Sequence, residues 1–215
     1  MNTKMTKSGL KVAGLVAAFA LTGCAFVPDE VHPTYKAPAG MTKVAGAAQV
    51  SVAVDVINDR KDKNFIGYTK NGYGFKTSDV YMNIQKDLTR ALNSALQIMG
   101  YNVQKNGAAH LVVHVKKFRM HENMHLTYIS HYGKTAVTVS VKNGKGNTLF
   151  QKNVETSFKT STPGLLSLSS NRHSASEAML NKTVNAIVTQ PGFNKALFEA
   201  AGVTQVTGAT VFNNP

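Results

Sequence analysis

From Val50 to Val56 every second residue is valine, with Ser51, Ala53 and Asp55 between. One face of such a segment is apolar and the other is not, which is the pattern of a half-buried strand. A chain that carries it must build a sheet and cover one side with a second layer. The same period returns in Leu111, Val113 and Val115, which alternate with His114 and Lys116, and again in Val137, Val139 and Val141. Asn143-Gly144 and Gly146-Asn147 then mark a turn. The next run, with Phe150, Val154 and Phe158 on one face, is expected to pair back as a hairpin until Thr162-Pro163-Gly164 ends it.

Two segments change to the helical period. Ser78-Asp79 offers a start, and Ile84, Leu88, Leu92 and Ala95, with Ala91 and Met99, form a stripe that stops at Gly100. This predicts a helix over 79–99. Ser174 and Glu177 have capping-box spacing ahead of Met179, Val184, Ile187 and Val188, predicting a helix over about 175–189 that Pro191-Gly192 stops. Phe193 to Ala201 suits a short final helix. The expected class is α+β, a mostly antiparallel sheet with two amphipathic helices packed on one face.

The opening MNTKMTKSGLKVAGLVAAFALTGC is organised differently. Lys4, Lys7 and Lys11 precede an apolar run, Val12 to Leu21, that is shorter than the roughly 20 residues a spanning helix needs. That is the layout of a secretory signal. Its ending, Leu21-Thr22-Gly23-Cys24, resembles the lipobox of bacterial lipoproteins. The resemblance implies cleavage before Cys24 and attachment of membrane lipid to that residue. Cys24 is the only cysteine, so no disulfide forms within the chain. Ala25 and Phe26 lack the aspartate linked to inner-membrane retention in such lipoproteins, so the resemblance implies sorting to the outer membrane, facing the periplasm. Residues 24–47 contain three prolines and many small residues and are expected to act as a tether. The expected division is signal peptide 1–23, lipidated cysteine and tether 24–47, one domain 48–205 and a tail 206–215.

The whole chain carries a formal charge of +13. Three lysines and no acids leave with the signal, so the mature part keeps about +10, a field that draws anionic surfaces. Export argues against nucleic acid. It leaves an anionic envelope component, an envelope protein, or a solvated basic surface with no dedicated partner.

HENMH at 121–125 matches the zinc-protease signature, and His131 follows six residues later. In those enzymes the two histidines lie one helical turn apart and share a metal. Here the period is two: Phe118, Met120, Met124, Leu126 and Tyr128 alternate with Arg119, His121, Asn123, His125 and Thr127, and Glu122 alone interrupts. On a strand, residues four apart are separated by about 13 Å. His121 and His125 then cannot both stand about 2.1 Å from one zinc ion. His121, His125 and His131 remain the candidate metal ligands, but solvent-facing strand histidines are the expected reading. Ser167, Ser169, Ser170 and Ser174 near His173 read as a loop entering a helix. No Walker loop or dinucleotide fingerprint is present. No catalytic residue and no cofactor is assigned.

The segment NDRKDKNFIGYTKNGYGFKT, 58–77, interleaves Phe65, Tyr68, Tyr73 and Phe75 with Lys61, Lys63, Lys70 and Lys76. As a long loop it would suit recognition of sugars, phosphates or a partner surface. As a twisted hairpin turning at Asn71-Gly72, its aromatics would pack on the core.

In the order of its elements the chain resembles the YajG family of bacterial lipoproteins. The resemblance rests on the lipobox, VDVINDRKDKNFIG, the helix ending MGYNV, KNGAAHLVVHVKKF, AVTVSVKNGKGNTLFQKNVETSF and the closing helix. It implies a lipid-anchored envelope protein with no assigned catalytic residues. The expected role is a non-enzymatic binding or scaffolding module. The alternatives are an accessory lipoprotein of an envelope transport or assembly machine, and a zinc-dependent hydrolase built on HENMH.

Overall fold

A computed structural model describes residues 28–163 and 168–204, so Cys24, the signal and all of the expected tail lie outside the described residues. In chain order the elements are β1 (Asp29–Glu30), β2 (Ser51–Asn58), β3 (Phe65–Lys70), β4 (Lys76–Tyr81), α1 (Ile84–Ile98), β5 (Asn102–Val103), β6 (Ala109–Met124), β7 (Tyr128–Lys142), β8 (Thr148–Pro163), α2 (Leu168–Val188) and α3 (Phe193–Ala200). The class is the expected α+β, with an eight-stranded mixed sheet.

The long strand β6 organises that sheet. Along one edge its first part, Ala109–Val115, pairs in parallel with β2, and its last part, Met120–Asn123, pairs in parallel with β3. Its other edge runs antiparallel to β7, which in turn pairs antiparallel with β8. Between the two parts the register shifts at Val115–Lys117. Lys116 and Lys117 are both exposed there, so the buried positions change from odd (Leu111, Val113, Val115) to even (Phe118, Met120, Glu122). A β-bulge does this by inserting one extra residue.

The helices cover one face. α1 packs on β2, α2 on β8 and β7, and α3 on β6, β7 and β8. Leu88, Leu92 and Leu96 of α1, Leu180 and Val184 of α2, and Phe193 and Leu197 of α3 meet the inward valines in one core. No helix among the described residues is long and apolar enough to cross a membrane.

Several boundaries differ from expectation. The helix predicted over 79–99 begins at Ile84, because Asp79 and Val80 belong to β4. The cap is Asn83, whose side chain accepts from Lys86 N at 3.1 Å. The second helix starts well before 175, which places Ser174 inside α2 rather than at its cap. Glu177 pairs with Lys36 at 2.6 Å. That contact belongs to a wider one: from Asp29 onward the segment expected as a tether lies on the domain. Val31 and Val44 are buried, and Tyr35 Oη donates to Asn185 Oδ1 of α2 at 2.7 Å.

Candidate functional site

The HENMH segment ends β6 and enters a hairpin, with the turn at 125–127. Because it is a strand, neighbouring side chains point to opposite faces. Glu122 faces the helices. His121 faces away and stacks on Tyr132, ring centroids 5.1 Å apart, and on Tyr68 at 6.3 Å. His125 lies on Tyr128 at the turn, 4.2 Å away. The three candidate metal ligands therefore point to three places, and among the described residues no three His, Cys, Asp or Glu side chains converge to hold a metal ion.

The inner face holds a group that sequence reasoning missed. Glu122 and His131 oppose each other in the β6–β7 pairing and are 1% and 0% exposed. Glu122 Oε2 accepts from Thr69 Oγ1 at 2.7 Å and from Arg172 Nε at 3.0 Å. Arg172 also donates to Thr69 Oγ1 at 2.8 Å and reaches Asp29 Oδ2 at 3.5 Å. His131 Nε2 is 2.9 Å from Thr162 Oγ1. His131 Nδ1 stands 2.9 Å from Glu122 Oε1, and neither atom has another hydrogen-bond partner. Burial pushes the Glu122 carboxyl up, but His131, Thr69 and Arg172 outweigh it and hold it below the usual carboxylate value. The cluster ties β1, β3, β6, β7, β8 and α2 together. Its sequence signal is the single acid on the apolar face of β6.

The outer face carries no helix and is cationic and aromatic. Tyr68, His121 and Tyr132 lie in a row across β3, β6 and β7. Lys70 Nζ sits 5.7 Å from the Tyr68 ring, Lys159 Nζ 5.4 Å from Tyr132, and the Arg119 guanidinium 4.9 Å from Phe65. Cations at such distances from ring faces are attracted by the ring quadrupole. A groove of about 740 Å³ runs beside the row, lined by Lys117, Arg119, His121, Tyr132, Gly133, Lys134, Ser157, Phe158, Lys159 and Lys182, with no carboxylate among them. Asp62 at the rim pairs with Arg119 at 2.8 Å. Partial burial holds the His121 imidazole below its usual value, and the charges of Lys70 and Lys134 add to that.

The aromatic and basic segment 58–77 is the hairpin of β3 and β4, turning at 71–75. Phe65, Tyr68 and Lys70 come to lie on β3, beside the groove's row. Lys76 on β4 sits 5.6 Å from the Phe65 ring. Tyr73 and Phe75 are exposed at the hairpin tip. Lys61 and Lys63 lie in the 59–64 loop, where Lys63 Nζ donates to the Asn58 carbonyl. Cys24, the expected lipid site, lies outside the described residues.

A family model described as uncharacterized lipoprotein matches residues 37–197. Among solved structures, a protein from Xanthomonas campestris is similar at 11% identity, TM-score 0.46, over 80% of this chain and 94% of that one. A minor lipoprotein from Acinetobacter baumannii is similar at 12% identity, TM-score 0.39, over 68% of this chain and 93% of that one. No curated protein matches the chain.

Proposed function

The chain belongs to the family described as uncharacterized lipoprotein, the YajG family its sequence resembles, and from that premise we propose that it is a non-enzymatic binding module, anchored through Cys24 and facing the periplasm from the outer membrane, whose helix-free sheet face binds an anionic envelope component. The observation that carries this is the acid-free groove beside the Tyr132 ring, whose cations Lys117, Arg119, Lys134 and Lys159 stand on the sheet, with Lys182 added from α2. Among the described residues Lys117, Lys134, Lys159 and Lys182 form no ion pair of their own. Clustered like charges cost stability through repulsion unless an anion offsets them. Aromatic faces beside lysines suit a phosphorylated sugar, which presents both a ring and a charge.

The non-enzymatic reading is supported by the HENMH geometry. Glu122 is committed to Thr69 and Arg172 on one side of the sheet, while His121 is on the other. A general base must reach the group it deprotonates.

The test is calorimetric titration of the mature protein with a bis-phosphorylated disaccharide at low and high salt. Binding that weakens with salt is expected. The Lys134→Glu, Lys159→Glu double variant should lose about tenfold or more, each basic residue near an anionic surface contributing about 1 kcal/mol. No heat of binding at low salt would retire the proposal.

A further inference from the structure

Two hairpin tips project from the same end of the sheet. β3 runs parallel to the end of β6, with Lys70 opposite Asn123, so the 71–75 and 125–127 turns lie side by side. Between them is a depression of about 440 Å³ lined by Gly72, Tyr73, Met124, His125 and Leu126. Tyr73 is 89% exposed, Phe75 70% and Leu126 89%. Scattered apolar residues on a surface need no explanation, but a contiguous apolar tip marks something that covers it.

The position of the chain's start says what covers it. β1 pairs in parallel with β4, Asp29 opposite Val80 and Glu30 opposite Tyr81. β4 runs away from the tip, so the chain enters β1 from the tip side. Asp29 lies five positions after Cys24, and Val80 lies five after Phe75. A chain of that length reaches at most about 17 Å. A lipid on Cys24 is thus tethered within about 17 Å of Asp29, and β1 opens toward the end of the sheet where Tyr73, Phe75 and Leu126 are exposed.

We infer that these two tips rest in the headgroup region of the same bilayer that holds the lipid of Cys24, against anionic phospholipid, and so stand the sheet upright on the membrane. The inference rests on the anchoring of Cys24 given above. Tyrosine suits the bilayer interface, having an apolar body and a polar end. Lys70 flanks the first tip and adds attraction to anionic headgroups, while Lys76 opposite it is paired with Asp79 at 2.6 Å. The apolar tip then holds the domain in one orientation while the acyl chains hold it at the surface.

The chain has no tryptophan, so one introduced indole is a clean reporter. The mature lipidated protein is reconstituted into phosphatidylethanolamine and phosphatidylglycerol vesicles containing brominated lipid, as Leu126→Trp and, separately, as Lys145→Trp. Lys145 sits in the β7–β8 turn at the opposite end of the sheet. Bromine should quench the Leu126→Trp emission about twofold or more and leave Lys145→Trp unchanged. Vesicle-bound protein with neither indole quenched, or with both quenched equally, would overturn the docked tip. Protein that does not float with vesicles at all would instead overturn the Cys24 anchor, and the orientation with it.

Discussion

Glu122 Oε1 and His131 Nδ1 stand 2.9 Å apart across the β6–β7 hairpin, under the cover of α2 and closed to solvent. A buried carboxylate is tolerable only if its partners offset the lost hydration. Removing Glu122 leaves Arg172 nearly buried, with only the longer Asp29 contact for charge. Glu122→Ala should cost about 3–5 kcal/mol, the usual penalty for breaking a buried pair. The Glu122→Leu, Arg172→Met double variant should cost less than the two single changes summed, because it leaves no orphaned charge. Urea denaturation of wild type, Glu122→Ala, Glu122→Leu, Arg172→Met and the double variant checks this.

The same carboxyl sets an acid limit. Its folded value lies below its unfolded one. The stability it contributes is therefore complete above the unfolded value of about 4.3 and falls as pH drops through the lower, folded value. Melting temperature followed below the ordinary carboxylate range should fall more steeply in the wild type than in Glu122→Gln, which has no proton to take up there.

His121 gives the groove a pH dependence of the opposite sense. Partial burial and then the charges of Lys70 and Lys134 keep its imidazole neutral to lower pH than usual. A bound anion favours the charged ring and raises that value. Binding of a phosphorylated ligand should therefore tighten as pH falls through the histidine range. His121→Gln should bind with a flatter pH profile, measurable by repeating the titration at several pH values.

Gly133 lets Phe158 lie across β7. A Cβ at this position would stand 1.9 Å from Phe158 Cε1 and 3.0 Å from Met179 Sδ. Gly133→Ala should cost about 1–3 kcal/mol, as overpacking does. Adding Phe158→Ala should make the glycine change cheaper, a coupling that a double-mutant cycle reads.

The sequence made the repeating parts plain. The valine alternation located β2, β6 and β7, Asn143-Gly144 announced the β7–β8 hairpin, and the leucine stripe of α1 was visible because one helix face meets the core. Other parts depend on contacts distant in sequence. Ser78-Asp79 has the chemistry of a helix start, but β1 and β3 pair with β4 and extend it to Tyr81. The 29–47 segment lacks periodicity and is held by single contacts, Tyr35 to Asn185 among them. The change of buried phase at Lys116-Lys117 is written in the sequence, as two adjacent lysines between odd and even apolar runs, and marks a bulge. The groove joins residues of β6, β7, β8 and α2, and only the β6–β7–β8 register brings Arg119, Lys134 and Ser157 abreast. The aromatic and basic composition of 58–77 pointed to this face through Tyr68 and Lys70, while all of the groove's lysines and its arginine come from elsewhere.

The most direct test of the central claim is an NMR titration of the mature protein with the bis-phosphorylated disaccharide, followed residue by residue. Lys117, Tyr132, Lys134 and Lys159 should shift together in wild type and stay still in Lys134→Glu, Lys159→Glu. Shifts confined to the helical face, or none at saturating ligand, would contradict a binding site on the open sheet.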